Sequence, residues 1–132
     1  MQLLVPLSIS PSILEATNVT DATAVWDAGT TYAKDDEVQV AGAVNRRYVS
    51  IQGSNTGNDP VTDDGTWWVD IGATNSWRAF DRRVADAVER TDSITYSLRV
   101  PAGELINGAA FFGLAADTVR LQVFDDAGSP GY

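Results

Sequence analysis

The sequence predicts a mainly-β fold, a small three-stranded, aromatic-rich module followed by part of a β-sandwich-like domain. Three observations carry that prediction. Apolar and polar residues alternate over short runs such as Glu37-Val38-Gln39-Val40 and Thr118-Val119-Arg120-Leu121-Gln122-Val123-Phe124. Clusters of Gly, Asn, Asp and Pro separate these runs, as turns require. The chain has no Cys and no His, so a small module must build its core from aromatics instead of a disulfide or a zinc site.

The elements follow in chain order. Met1 to Leu7 is apolar, but no basic residue precedes it and Pro6 interrupts it, so it reads as an edge strand or packing arm and not as a signal peptide. Ser10-Pro11-Ser12-Ile13-Leu14-Glu15 has the chemistry of a helix start. Ser10 suits the N-cap, Pro11 the first helical position and Glu15 the positive helix end. Residues 1–24 are therefore expected to form an N-terminal arm and short helix.

Residues 25–72 read as strands joined by tight links. Glu37–Val40 and Arg47–Ile51 alternate and are joined by Ala41-Gly42-Ala43-Val44-Asn45, a link of hairpin length in which Gly42 supplies positive φ. Loop formers fill Ser54 to Pro60 and Asp63-Asp64-Gly65, and Thr66-Trp67-Trp68-Val69-Asp70-Ile71 makes a third strand. Adjacent Trp67 and Trp68 on one strand point to opposite faces.

Residues 73–132 are expected to form a β-sheet domain that is incomplete. Ala79 to Glu89 fits a helix or an Ala-rich loop. Ser93 to Val100 is a strand with Ile94, Tyr96, Leu98 and Val100 on one face. The apolar run Ala109 to Leu114 suits a strand buried on both faces, and Thr118 to Phe124 adds another. Too few strands remain to close a sandwich, so other chains or further polypeptide are expected to complete the sheet.

Charge narrows the function. Nine basic against eighteen acidic residues give a net charge of -9, which opposes nucleic-acid and anionic-membrane partners. No apolar window approaches the length of a membrane helix. Without His or Cys there is no His-based triad and no thiol nucleophile. The carboxylates at Asp35-Asp36-Glu37 and Asp63-Asp64 lie in turns of a chain too small for a rigid glycosidase cleft. Nor do Asn58-Asp59 and Asp63-Asp64 have calcium-loop spacing. A phosphate-binding Gly-rich loop is absent, so neither an enzyme nor a cofactor is expected.

The series Trp26, Tyr32, Asp36-Glu37-Val38, Gly42, Tyr48, Pro60, Trp68 resembles the small chitin-binding modules of carbohydrate-binding family 5/12. It departs at Asp35, where that pattern has Gly. Over the whole chain, Asn18-Val19, the aromatic module, Ile71-Gly72-Ala73-Thr74-Asn75-Ser76-Trp77-Arg78-Ala79-Phe80-Asp81 and Asp92-Ser93-Ile94-Thr95 look like tail-associated proteins of tailed bacteriophages. The resemblance implies a structural virion component of a tail or baseplate, made in the host cytoplasm, homo-oligomeric and in contact with other tail proteins. A non-catalytic sugar-binding domain of a secreted polysaccharide hydrolase is the competing expectation.

A pyranose has an apolar C–H face and a polar rim, so flat aromatics beside amides or carboxylates give weak, selective contact. Trp67, Trp68, Tyr48, Trp26 and Tyr32 are the candidate platform for a host-surface glycan, with Asp36, Asn55 and Asp70 as rim partners. Core packing competes for the same aromatics, and Trp67 is the best placed for exposure. Turn and strand-end hydrogen bonds compete for Asp36, Asn55 and Asp70.

Overall fold

A computed structural model describes residues 7–81, 87–103, 108–111, 113 and 115–124. The fold is mainly β. Strands β1 (Leu14–Thr17), β2 (Thr31–Tyr32), β3 (Glu37–Val40), β4 (Arg46–Ser50), β5 (Asn55–Thr56) and β6 (Trp68–Ala73) precede a 3₁₀ helix, Asn75–Phe80, and β7 (Tyr96–Leu98) follows it. They form a three-stranded antiparallel sheet in the order β3-β4-β6 and two paired ribbons, β2-β5 and β1-β7.

The three-stranded sheet has the expected strands, with β6 beginning two residues later than the sequence suggests. Val38 stands opposite Tyr48, Tyr48 opposite Asp70, and Ser50 opposite Trp68, so these side chains share one face. Tyr32 of β2 closes over it and meets Trp68 edge to face, with ring centroids 5.2 Å apart. Tyr32, Val38 and Trp68 are the buried centre, with Trp26, Tyr48 and Trp67 packed around them. Between β4 and β6 a bulge places Gly72 opposite Arg47 and leaves Ile71 unpaired. Gly72 takes φ +113° there, a conformation that favours glycine.

Turn chemistry locks this layer. In the β3–β4 link, Gly42 does not have the expected positive φ; instead its N–H donates to Asn45 Oδ1 at 3.2 Å, so the Asn side chain shapes the turn. Ahead of β3, Ala33 N–H donates to Asp36 Oδ2 at 2.7 Å. Asp35 takes φ +72°, a conformation that Asp tolerates and Gly adopts at least cost. That is the position at which the sequence departs from the glycine of the pattern it resembles. Before β6, the Asp63 carboxylate accepts N–H groups from Gly65, Trp67 and Trp68 at 2.9–3.1 Å through Oδ2.

The expected short helix at residues 10–15 does not form. Ser10 C=O does accept from Ile13 and Leu14 N–H, both at 2.9 Å, but the turn runs into β1. The reason is a distant partner: β1 pairs with β7, with Leu14 opposite Leu98 and Thr17 opposite Tyr96. Cross-strand ladder bonds replace the helical ones. Arg99 N–H also donates to Ile13 C=O at 2.8 Å, and Arg99 forms an ion pair with Glu15.

Beyond the sheet, Trp77, Phe80 and Tyr96 form an edge-to-face series that ties the 3₁₀ helix to β7. Asp21 caps that helix from 55 residues away, accepting Ser76 N–H at 2.8 Å and the Ser76 hydroxyl at 2.6 Å. The expected helix or loop at Ala79 to Glu89 lies partly outside the described residues.

The later strands differ from expectation. The expected Ser93–Val100 strand shortens to Tyr96–Leu98, with Ile94 and Leu98 exposed. Ala109, Ala110 and Phe111 are exposed and not in a strand, which corrects the reading of Ala109 to Leu114 as a doubly buried one. Thr118 to Val123 are likewise exposed and outside any strand, with a single bridge residue at Phe124. An alternating pattern makes a strand only where a neighbour offers ladder bonds, and no described element runs alongside these residues.

Candidate functional site

The sheet sorts the candidate aromatics into two groups. Trp68 and Tyr32, 3% and 8% exposed, are core. Their polar atoms are satisfied internally: Trp68 Nε1–H donates to Asn58 C=O at 2.8 Å, and the Tyr32 hydroxyl accepts Asp27 N–H at 2.7 Å. Neither presents a ring to a ligand. Trp67 precedes the first residue of β6, so strand alternation does not govern it, and it packs half-buried against the same cluster as Trp68. Trp26 is also half-buried, and its Nε1 is buried without an acceptor among the described residues. Tyr48 is half-buried in mid-strand.

The polar candidates are already engaged. Asp36 holds the turn before β3. Asn55 is fully buried; its Nδ2 donates to Ser50 Oγ at 3.0 Å and its Oδ1 accepts from Asn58 Nδ2 at 2.8 Å. Its amide is a core bracket and cannot reach a sugar. Asp70 forms a two-point pair with Arg46, at 2.5 Å to Nε and 2.8 Å to Nη2, and accepts Gly72 N–H at 2.8 Å. Hydrogen bonding to Asp70, then its charge, raises the Arg46 pKa above its ordinary value.

Among the expected site residues, Tyr48 alone borders an open groove; Asp70, opposite it on β6, reaches that place only as the partner of Arg46. Where the core face runs out toward the β3–β4 link, Tyr48, Val40, Ala43, Val44, Val61 and Arg46 line a groove of about 340 Å³. Burial, then the Asp70 charge, raises the Tyr48 pKa, so its phenol is neutral at physiological pH. The groove offers an apolar floor with an ion pair at its edge. Trp26, Tyr32, Trp67, Trp68, Asp36, Asn55 and Asp70 do not line it.

Arg46 and Val61 were not expected here. Arg46 was legible, because it lies two residues before Tyr48 on the same strand and so shares its face. Val61 was not, because its place depends on the path of the loop from residue 57 to 67. Among the described residues, no group of acidic side chains could hold a metal ion, and no helix is long and apolar enough to cross a membrane.

No known protein family, curated protein or solved structure matches this chain.

Proposed function

We propose that this chain is a non-enzymatic structural subunit of a bacteriophage tail or baseplate, self-associating through the segment beyond β7. The observation that carries this reading is the exposure of Val119 (48%), Leu121 (63%), Val123 (59%) and Phe124 (54%) within one short segment. A soluble monomer tolerates scattered exposed apolar residues, whereas a concentrated group marks an interaction surface. Burying such side chains contributes roughly 1.5–3 kcal/mol each. The tail-protein resemblance of the sequence supplies the setting, and self-association suits the repeated symmetry of such assemblies.

Light scattering on the full chain tests the proposal. We expect a mass several times that of one chain, reduced to that of a monomer by Leu121→Ser. A monomer at every concentration, unchanged by Leu121→Ser, overturns it.

The groove beside Tyr48 supports a second part of the reading, weak contact with host-surface glycan. An aromatic floor and a charged rim suit one pyranose, and repetition across an oligomer multiplies a weak contact. On a glycan array, binding is expected to fall at least about tenfold in Tyr48→Ala and in Val61→Ser, a loss of about 1.4 kcal/mol. Absent or unaltered binding removes the glycan from the proposal. A monomer that binds glycan would favour the other expectation, a domain of a secreted polysaccharide hydrolase.

A further inference from the structure

Behind the sheet lies a second cavity, of about 180 Å³, walled by Thr20, Asp21, Thr23, Arg47, Asn75 and Arg78. Arg47 follows Arg46 and precedes Tyr48 on β4, so it points to the face opposite the Tyr48 groove. The cavity therefore forms where the chain before the module, the back of β4 and the 3₁₀ helix meet. Two arginines in one small cavity are notable in a chain that has nine basic residues and a net charge of -9.

Each guanidinium is only partly engaged. Arg47 Nη1 reaches Glu37 Oε2 at 3.3 Å, and Arg78 Nη1 donates to Ala87 C=O at 3.1 Å. In both residues Nε is buried and has no acceptor among the described residues. A buried donor left unmatched is destabilising, and more so on a charged group. Each Nε is thus sealed in the protein, while both side chains border the same cavity, where their remaining Nη donors can meet one shared acceptor.

The other wall groups do not supply it. Both carboxylate oxygens of Asp21 are turned to Ser76. Asn75 is used as scaffold, its Nδ2 donating to Glu89 C=O at 2.9 Å and its Oδ1 accepting Glu89 N–H at 3.0 Å. Water can accept from both donors but carries no charge to offset two guanidinium groups. A planar or tetrahedral oxyanion does both, and the guanidinium fork is shaped for it.

We propose that this cavity binds a small oxyanion, a carboxylate, sulfate or phosphate group, held between Arg47 and Arg78. Glu37 and Asp21 offset part of the positive charge, so the site is weak and exchangeable. The group comes either from a free inorganic ion or from the carboxylate of an acidic sugar.

Calorimetry on the full chain at fixed ionic strength, with sodium phosphate, sodium sulfate and sodium glucuronate as separate titrants, distinguishes these sources. Saturable binding is expected with a dissociation constant on the order of 1 mM. Arg47→Gln and Arg78→Gln are each expected to weaken it at least about tenfold. Because Arg78→Gln also releases the Ala87 contact, Thr23→Glu serves as a second variant: it keeps both arginines and sets a competing carboxylate in the wall. It should abolish binding while Lys34→Gln, which removes an exposed positive charge that lines neither cavity, leaves it unchanged. Binding of phosphate and sulfate alone assigns the site to inorganic ions, and binding of glucuronate assigns it to acidic sugars. No saturable heat with any titrant, or equal heat in the protein and in Thr23→Glu, overturns the proposal.

Discussion

The stretches 37–40 and 119–123 carry the same alternation of apolar and polar residues, yet they end differently. In β3, Val38 is fully buried beneath Tyr32 and Trp68; in the later stretch, Val119, Leu121 and Val123 face solvent. The difference lies in what surrounds each. β3 has β4 on one edge and, on the other, a parallel bridge to Val25, reinforced by Trp26 N–H donating to Gln39 C=O at 3.0 Å. Turns held by Asp36, Asn45 and Asp63 fix that layer in place. Periodicity gives a strand its face; partners on its edges and above it decide whether that face is buried.

Three measurements sharpen or break this contrast, from the largest effect to the smallest. Trp68→Ala removes the ring that Tyr32 and Val38 pack against and should cost about 3–5 kcal/mol in denaturant unfolding. A loss under about 1 kcal/mol would mean that the module is not held by its aromatic core. Next comes alkaline pH. Burial, and then the Asp21 charge, push the Tyr96 phenol up to about 12 from 10.0. The folded state thus holds this proton where the unfolded chain releases it. Stability from Tyr96 is complete below pH 10 and is lost as pH rises from 10 toward about 12. The Tyr96 hydroxyl donates to Ser76 C=O at 3.0 Å; Tyr96→Phe should flatten that part of the curve, and an unchanged slope would show that the hydroxyl is not buried there. Smallest is Leu121→Ser, which should alter the unfolding free energy of the dissociated chain by less than about 0.5 kcal/mol. A loss comparable to that of Trp68→Ala would place Leu121 in a core.

Much of the module was legible because its information is local. β3, β4 and β6 follow from alternation, and the turns between them follow from Asn, Asp and Gly placed where side chains bond nearby backbone. What was not legible depends on distant partners. Ser10-Pro11 does begin a turn, but whether the next residues continue as helix or strand is decided by β7. The 3₁₀ helix owes its cap to Asp21, 55 residues earlier. For the candidate site, the residue types were informative and their exposure was not. Trp68 and Tyr48 both stand on the core face, but Tyr32 closes over Trp68, whereas Tyr48 borders the groove that Val61 helps to line. Asn55 has the chemistry of a sugar contact, yet pairing between β2 and β5 seals it inside.

The β1–β7 ribbon has a mechanical consequence. Its strands are antiparallel, and Leu14, where β1 begins, lies opposite Leu98, where β7 ends. The polypeptide therefore enters and leaves at the same end of the ribbon. If the two ends are anchored to different bodies, tension peels the ladder open one bond at a time, beginning beside Arg99 and Glu15, and does not shear all its bonds together. The ribbon would then behave as a zipper that yields at low force, with the aromatic module enclosed in the loop behind it.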